Sequence, residues 1–142
     1  LDLAIRDVLG ERIQQRVQGA IQVRHHGELP VGSALLVETQ HPSWPRLIVA
    51  PTMRLPADVS DSLNAYLAFR AILLEVKRFN ASKPEQPIRS VLCPGLGTGV
   101  GRLAPERCAQ QMWEAYQQCA RPATLPNLAE IWALERRLQR VQ

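Results

Sequence analysis

Lysine is nearly missing from this chain. Lys77 and Lys83 are the only two, so arginine supplies almost all of the seventeen basic residues. No basic run with interleaved aromatics occurs, and aromatics make up only 5% of the residues, so the face that would grip a nucleic acid is not indicated. With a net charge of only +4, direct nucleic-acid binding is not expected. Long apolar runs are lacking too. None approaches the ~18 residues that cross a membrane, and no basic region followed by an apolar core opens the chain, so a cytoplasmic protein is expected. Cysteine is scarce and odd in number: Cys93, Cys108 and Cys119 have spacings unlike a zinc motif and read as reduced, buried small hydrophobes. The pair His25–His26 has no acidic or cysteine ligand at a usable spacing. It reads as a solvated loop pair, and neither a metal nor another cofactor is expected.

What the chain has is apolar material for one core. Its 142 residues, 46% hydrophobic and 21% charged, fit one globular domain. Apolar residues from Leu3 to Ile21 recur at helical spacing, and Gly10 suits a helix C-terminus, so two short helices should meet there. Ala34–Thr39 and Arg46–Ala50 read as strands joined by HPSWP. Ser60 or Asp61 should cap a long helix to about Phe79, apolar on most sides and therefore packed deeply against a sheet. Ile88–Cys93 reads as a third strand, apolar enough to be central and parallel. Pro105 fits the first turn of the next helix, with Ala109, Met112 and Tyr116 on one stripe. A last helix should run from about Leu128 to Val141, with Ile131, Leu134 and Leu138 inward. Strands alternating with helices indicate an α/β layered sheet with helices on both faces.

Four of the eight glycines fall in CPGLGTGVGR, residues 93–102. The stretch lies between an expected strand and the Pro105 helix, where free amides and the positive end of a helix dipole converge on anions. Two nucleotide signatures fail there on explicit residues. A Walker A loop needs Gly-Lys-Ser/Thr, and the stretch holds no lysine. The G-x-G-x-x-G fingerprint ends on Val100 when started at Gly95, and on Arg102 when started at Gly97. Two readings stay open: a tight turn that permits close packing, or an anion cradle.

The stretch SVLCPGLGTGVGRLAPERCA resembles the strand, phosphate loop and helix of macro domains, with their pattern P-x-x-S/G-T-G-V/I-[aromatic]-G. VGSALLVET resembles their G-x-A-x-x-T segment, RLIVAPT their I-H-x-V-G-P, and LDLAI the end of their G-G-G-V-D-x-A-I loop. The four matches come in order and span most of the chain to Tyr116. Within the family, ELPVG, APTM and PGLGTGVGR resemble a bacterial branch.

The resemblance implies a three-layer α/β/α fold with a mixed central sheet, residues 1–142 forming one macro-like domain. It also implies that ADP-ribose or an ADP-ribosylated macromolecule is the ligand. Carried over by position, Gly97, Thr98, Gly99, Val100, Gly101 and Arg102 would wrap the diphosphate and distal ribose, with Leu1 on the opposite wall. Asp2 matches an aspartate that activates or positions water in hydrolytic members, a role suited to a carboxylate beside an anomeric carbon. An acid in a first helical turn is also stabilised by the dipole alone, so both readings of Asp2 stand. Hydrolysis of the ADP-ribosyl linkage or of O-acetyl-ADP-ribose, non-catalytic reading, and ADP-ribose 1″-phosphate hydrolysis are the activities implied. Three departures stand out. Gly101 occupies the aromatic position. The asparagine and glycine run before Asp2 is not in the chain. Neither are the early central strand and the acidic residue that reads adenine, so an upstream native segment carrying the first strands is expected.

Overall fold

In the computed structural model, which describes residues 3–139, the first helical stretch breaks where its glycine implies. Helix α1 spans Leu3–Leu9 and α2 spans Arg12–His25. Between them Gly10 has φ +82° and donates its amide to Arg6 O at 2.8 Å, a left-handed helix ending that only glycine adopts without strain. Helix α2 turns Ile13 and Val17 inward onto strand β1, Leu35–Glu38. Strand β1 alternates as a half-buried strand should: Leu35 and Val37 are buried, and Glu38 is exposed. It pairs antiparallel with β2, Arg46–Val49, in the register Leu35↔Val49 to Glu38↔Arg46. Arg46 closes this unit, bonding Glu38 at 3.1 Å and placing its guanidinium 4.5 Å from the centroid of the Phe79 ring.

The long helix α3 spans Asn64–Ala81 rather than starting at Ser60 or Asp61. Those residues are held in a turn of their own, with the Ser60 amide on Asp58 Oδ1 at 2.9 Å and Ser62 Oγ donating to Val59 O at 2.7 Å. The expected packing against a sheet is present but secondary, since α3 touches both β1 and β2 and Phe79 meets Arg46. The main partner of α3 is helix α4, Pro105–Ala120, and Leu67 on its outer side is exposed.

The inward stripe of α4 differs from the expected one. Cys108, Gln111, Ala115 and Cys119 are buried at helical spacing, whereas Ala109 is exposed and Tyr116 stacks outside on Trp113 at 5.7 Å. Helix α5, Leu128–Gln139, begins with a reciprocal cap: Asn127 Oδ1 accepts the Glu130 amide, and Glu130 Oε2 accepts that of Asn127. It packs on α4 through buried Leu138 and an Arg137–Glu114 pair at 3.0 Å, while Ile131 faces solvent.

The expected third strand is not formed. Among the described residues the sheet is β1 and β2 alone, and Ile88–Cys93 has no ladder. A strand exists only by pairing, and this stretch has no strand beside it. Its single anchor is Asn80, whose side chain bonds both the amide and the carbonyl of Ile88 at 2.8 Å. Val91 and Leu92 are exposed, the latter by 81%.

Candidate functional site

Three of the sequence segments singled out above meet at the N-terminal end of α3. The chain leaving β2 carries Thr52, Met53 and Arg54. Thr52 O accepts a hydrogen bond from Asn64 Nδ2 at 2.7 Å, and Arg54 forms a two-pronged pair with Glu28 of ELPVG, at 2.7 and 3.3 Å. The segment then folds over the glycine stretch, where the Val59 amide donates to Gly101 O at 2.9 Å.

The glycine stretch closes on itself. Leu103 donates to Gly97 O and Arg102 to Gly99 O, both at 3.0 Å, and the Thr98 hydroxyl donates to Gly95 O at 3.0 Å. Thr98 therefore spends its proton on the turn and keeps only acceptor capacity outward. Among the described residues, the amides of Thr98, Gly99, Val100 and Gly101 donate to no protein acceptor. Successive free N–H groups in a turn are the makings of an anion nest.

The glycines divide into two kinds. A Cβ at Gly101 would lie 2.6 Å from Gly97 O, 2.6 Å from Val59 Cγ2 and 3.0 Å from Met53 Cε, so no side chain fits. A side chain at this position would have to displace backbone as well as Val59 and Met53. Gly97 is held at φ +75° beneath Val59 and Leu103. Gly99 is different: its φ is unstrained, and a Cβ there would meet nothing within 4 Å. Arg102 sits at φ +55°, a left-handed conformation unusual for a residue with a side chain. Its guanidinium faces Asp58 at 3.9 Å, and the Ser60 hydroxyl and amide hold that carboxyl below its usual range.

Gln111 fixes the far side. It is fully buried, accepts the Tyr66 amide on Oε1 at 3.1 Å and donates Nε2 to Ser62 O at 2.8 Å. It thereby satisfies a second amide in the first turn of α3, beside that of Asn64, which donates to Ser62 Oγ at 3.3 Å. Beside it Arg107, 9% exposed, reaches Asp61 at 3.3 Å, with its Nε buried and unpartnered. Cys93 enters the site only partly buried, and burial pushes its thiol up to about 11, so it is no ready nucleophile.

Gly97 to Arg102 are thus brought together in one loop, as the sequence implied. Leu1 and Asp2 lie outside the described residues. Residue-level reading missed Met53, Val59 and Gln111. The signal for Gln111 was present, since a lone amide stands on the buried stripe between Cys108 and Ala115.

No curated protein and no solved structure matches this chain. The family model of the Macro domain matches residues 1–112, most of the chain, including the glycine loop and the first half of α4. The chain belongs to the macro domain family, an α/β fold.

Proposed function

We propose that this chain binds ADP-ribose or an ADP-ribosyl derivative, with the diphosphate on the loop from Gly97 to Arg102. Membership of a family known for ADP-ribose binding names the ligand. The observation that supports the location is the run of four unpartnered amides around Gly99, a glycine that the protein's own packing does not require. Bare backbone at an open, unstrained position lets phosphate oxygens approach to hydrogen-bond distance. In this reading Arg102 supplies a positive charge and Thr98 an acceptor facing a ribose hydroxyl.

Calorimetric titration with ADP-ribose tests the proposal, and no heat at millimolar ligand would sink it. Gly99→Leu should cost at least a hundredfold in affinity. Its folding stability should change by less than ~0.5 kcal/mol, as for other open surface positions.

Hydrolysis of the ADP-ribosyl linkage is a further step, assigned in this proposal to Asp2 as the water-positioning carboxylate. The packing at Gly101 favours the second reading, a non-catalytic reader, since the space of the pattern's aromatic is filled by Val59 and Met53. Turnover of ADP-ribosylated protein, ADP-ribosylated DNA, O-acetyl-ADP-ribose and ADP-ribose 1″-phosphate, wild type against Asp2→Ala, separates the readings. The full three-layer domain is proposed to include further strands upstream, because Ile88–Cys93 is unpaired and leaves Val91 and Leu92 exposed. An intact mass of the native protein equal to these residues alone would remove that part.

A further inference from the structure

The C-terminal end of α3 lies about 27 Å from the glycine loop, at 1.5 Å per residue over 18 residues. A different surface opens there. Two adjoining concavities, about 390 and 610 Å³, share Arg16 and run along α2 beside strand β1. Arginines at 12, 16 and 24 line them on the α2 side, a row about 18 Å long.

Two of these guanidiniums are held in place by the backbone. Ladder bonds from β1 to β2 fall on alternate residues, including Thr39 to Pro45, so the carbonyls of Leu36 and Glu38 point to the open edge. Arg24 Nη1 donates to Leu36 O at 3.4 Å, and Arg16 Nη1 donates to Glu38 O at 3.1 Å, with a second bond to Gln40. Covering an open edge with charge protects it against pairing with another chain.

Edge protection leaves most of the charge unspent. Among the described residues Arg12, Arg16 and Arg24 form no ion pair. The acids along the same groove are Glu11, Glu38 and Glu75, and the last two are already paired, with Arg46 and Arg78. Three unpaired guanidiniums in a row, with Ser82 and Gln40 as neutral polar neighbours, match a linear polyanion whose oxygens accept forked N–H pairs.

We propose that this groove binds the phosphodiester backbone of a single-stranded nucleic acid. Along a row about 18 Å long each of the three guanidiniums can meet one phosphate of an extended strand. Guanidinium and amide donors are usual partners of phosphate oxygens, whereas the Ser82 hydroxyl is spent on Phe79 O at 2.6 Å. The reading revises the expectation of no nucleic-acid partner, which rested on the lack of a basic run. The basic residues are four and eight apart, so they line up only once the helix forms. The proposal does not depend on the glycine loop being an ADP-ribose site.

Fluorescence anisotropy with a labelled ten-nucleotide DNA of mixed sequence tests it, using the whole chain and no ADP-ribose. Three phosphate contacts predict a log–log salt slope near −2, hence about a twentyfold loss of affinity between 50 and 200 mM salt. Combined Arg12→Gln, Arg16→Gln and Arg24→Gln should lower affinity at least tenfold and flatten the slope, while Lys at the same positions should keep it. Because Arg16 and Arg24 also brace β1, Arg12→Gln alone is the control, and it should reduce the slope by about 0.7. No anisotropy rise at 100 μM protein in 50 mM salt would overturn the proposal. So would a folded triple variant binding within twofold of wild type. Displacement of the DNA by poly-glutamate at equal charge would assign the groove to an acidic protein segment instead.

Discussion

Residues 88–93 and 97–103 follow one another closely, yet they are held in opposite ways. The first stretch is apolar and short, the composition of a central strand, and it lies exposed with one side-chain anchor at Asn80. The second has three glycines in seven residues, the composition of a floppy loop, and its conformation is locked. Carbonyls of Gly97, Gly99 and Gly101 are all used, and Val59 and Met53 press against the bare Cα of Gly101. Hydrophobicity makes a segment want a neighbour, but it fixes no shape until the neighbour is present. Close backbone contact fixes shape without any neighbouring strand.

The strongest way to break this contrast is Gly101→Phe. The ring has no space, so stability should fall by ~3 kcal/mol, the upper end of overpacking costs, and ADP-ribose binding should vanish with it. Thermal melting and calorimetry would read both, and a variant as stable as wild type would mean the loop is not locked as described.

Gln111→Leu probes the same lock from behind. It strips the Tyr66 amide and Ser62 carbonyl of their partner, and about 2 kcal/mol should be lost in urea unfolding. Gly99→Leu would show through ligand affinity alone, as described above. Arg102→Gly sharpens the picture in the other direction. Removing a side chain from a left-handed position should gain up to about 1 kcal/mol, because the Asp58 pair it gives up is solvent-exposed and worth little. The smallest effect belongs to the other stretch. Leu92→Thr should move the melting midpoint of this chain hardly at all, within ~0.5 kcal/mol, and a larger loss would show that Leu92 is covered in solution.

Local signals were the legible ones. Gly10 ended a helix, Pro105 began one, and both strands of the β1–β2 pair were placed within two residues at each end. The glycine loop was legible because its residues are contiguous. What failed was whatever depends on distant partners. The first turn of α3 lies past Ser60 and Asp61, and one of the two acceptors of its free amides is Gln111, 45 positions beyond Tyr66, the other being Ser62. Ile88–Cys93 looked like a strand because its composition is right, and composition cannot say whether a ladder partner stands beside it. The stripe of α4 was placed on Ala109, Met112 and Tyr116 because apolar residues were followed; Met112 does pack on the core, but an amide, Gln111, sits at the centre of the buried face. The arginine row escaped notice because its members are never adjacent in the chain.

The Asn80 side chain has a consequence for everything downstream of it. By bonding both backbone groups of Ile88, it acts as a register pin at the head of the stretch. With Ile88 fixed, the stretch that leads to Pro94 and the glycine loop is tied at its head to the end of α3 before any ladder exists. One amide at the end of a helix thus sets where the segment that leads into the loop begins.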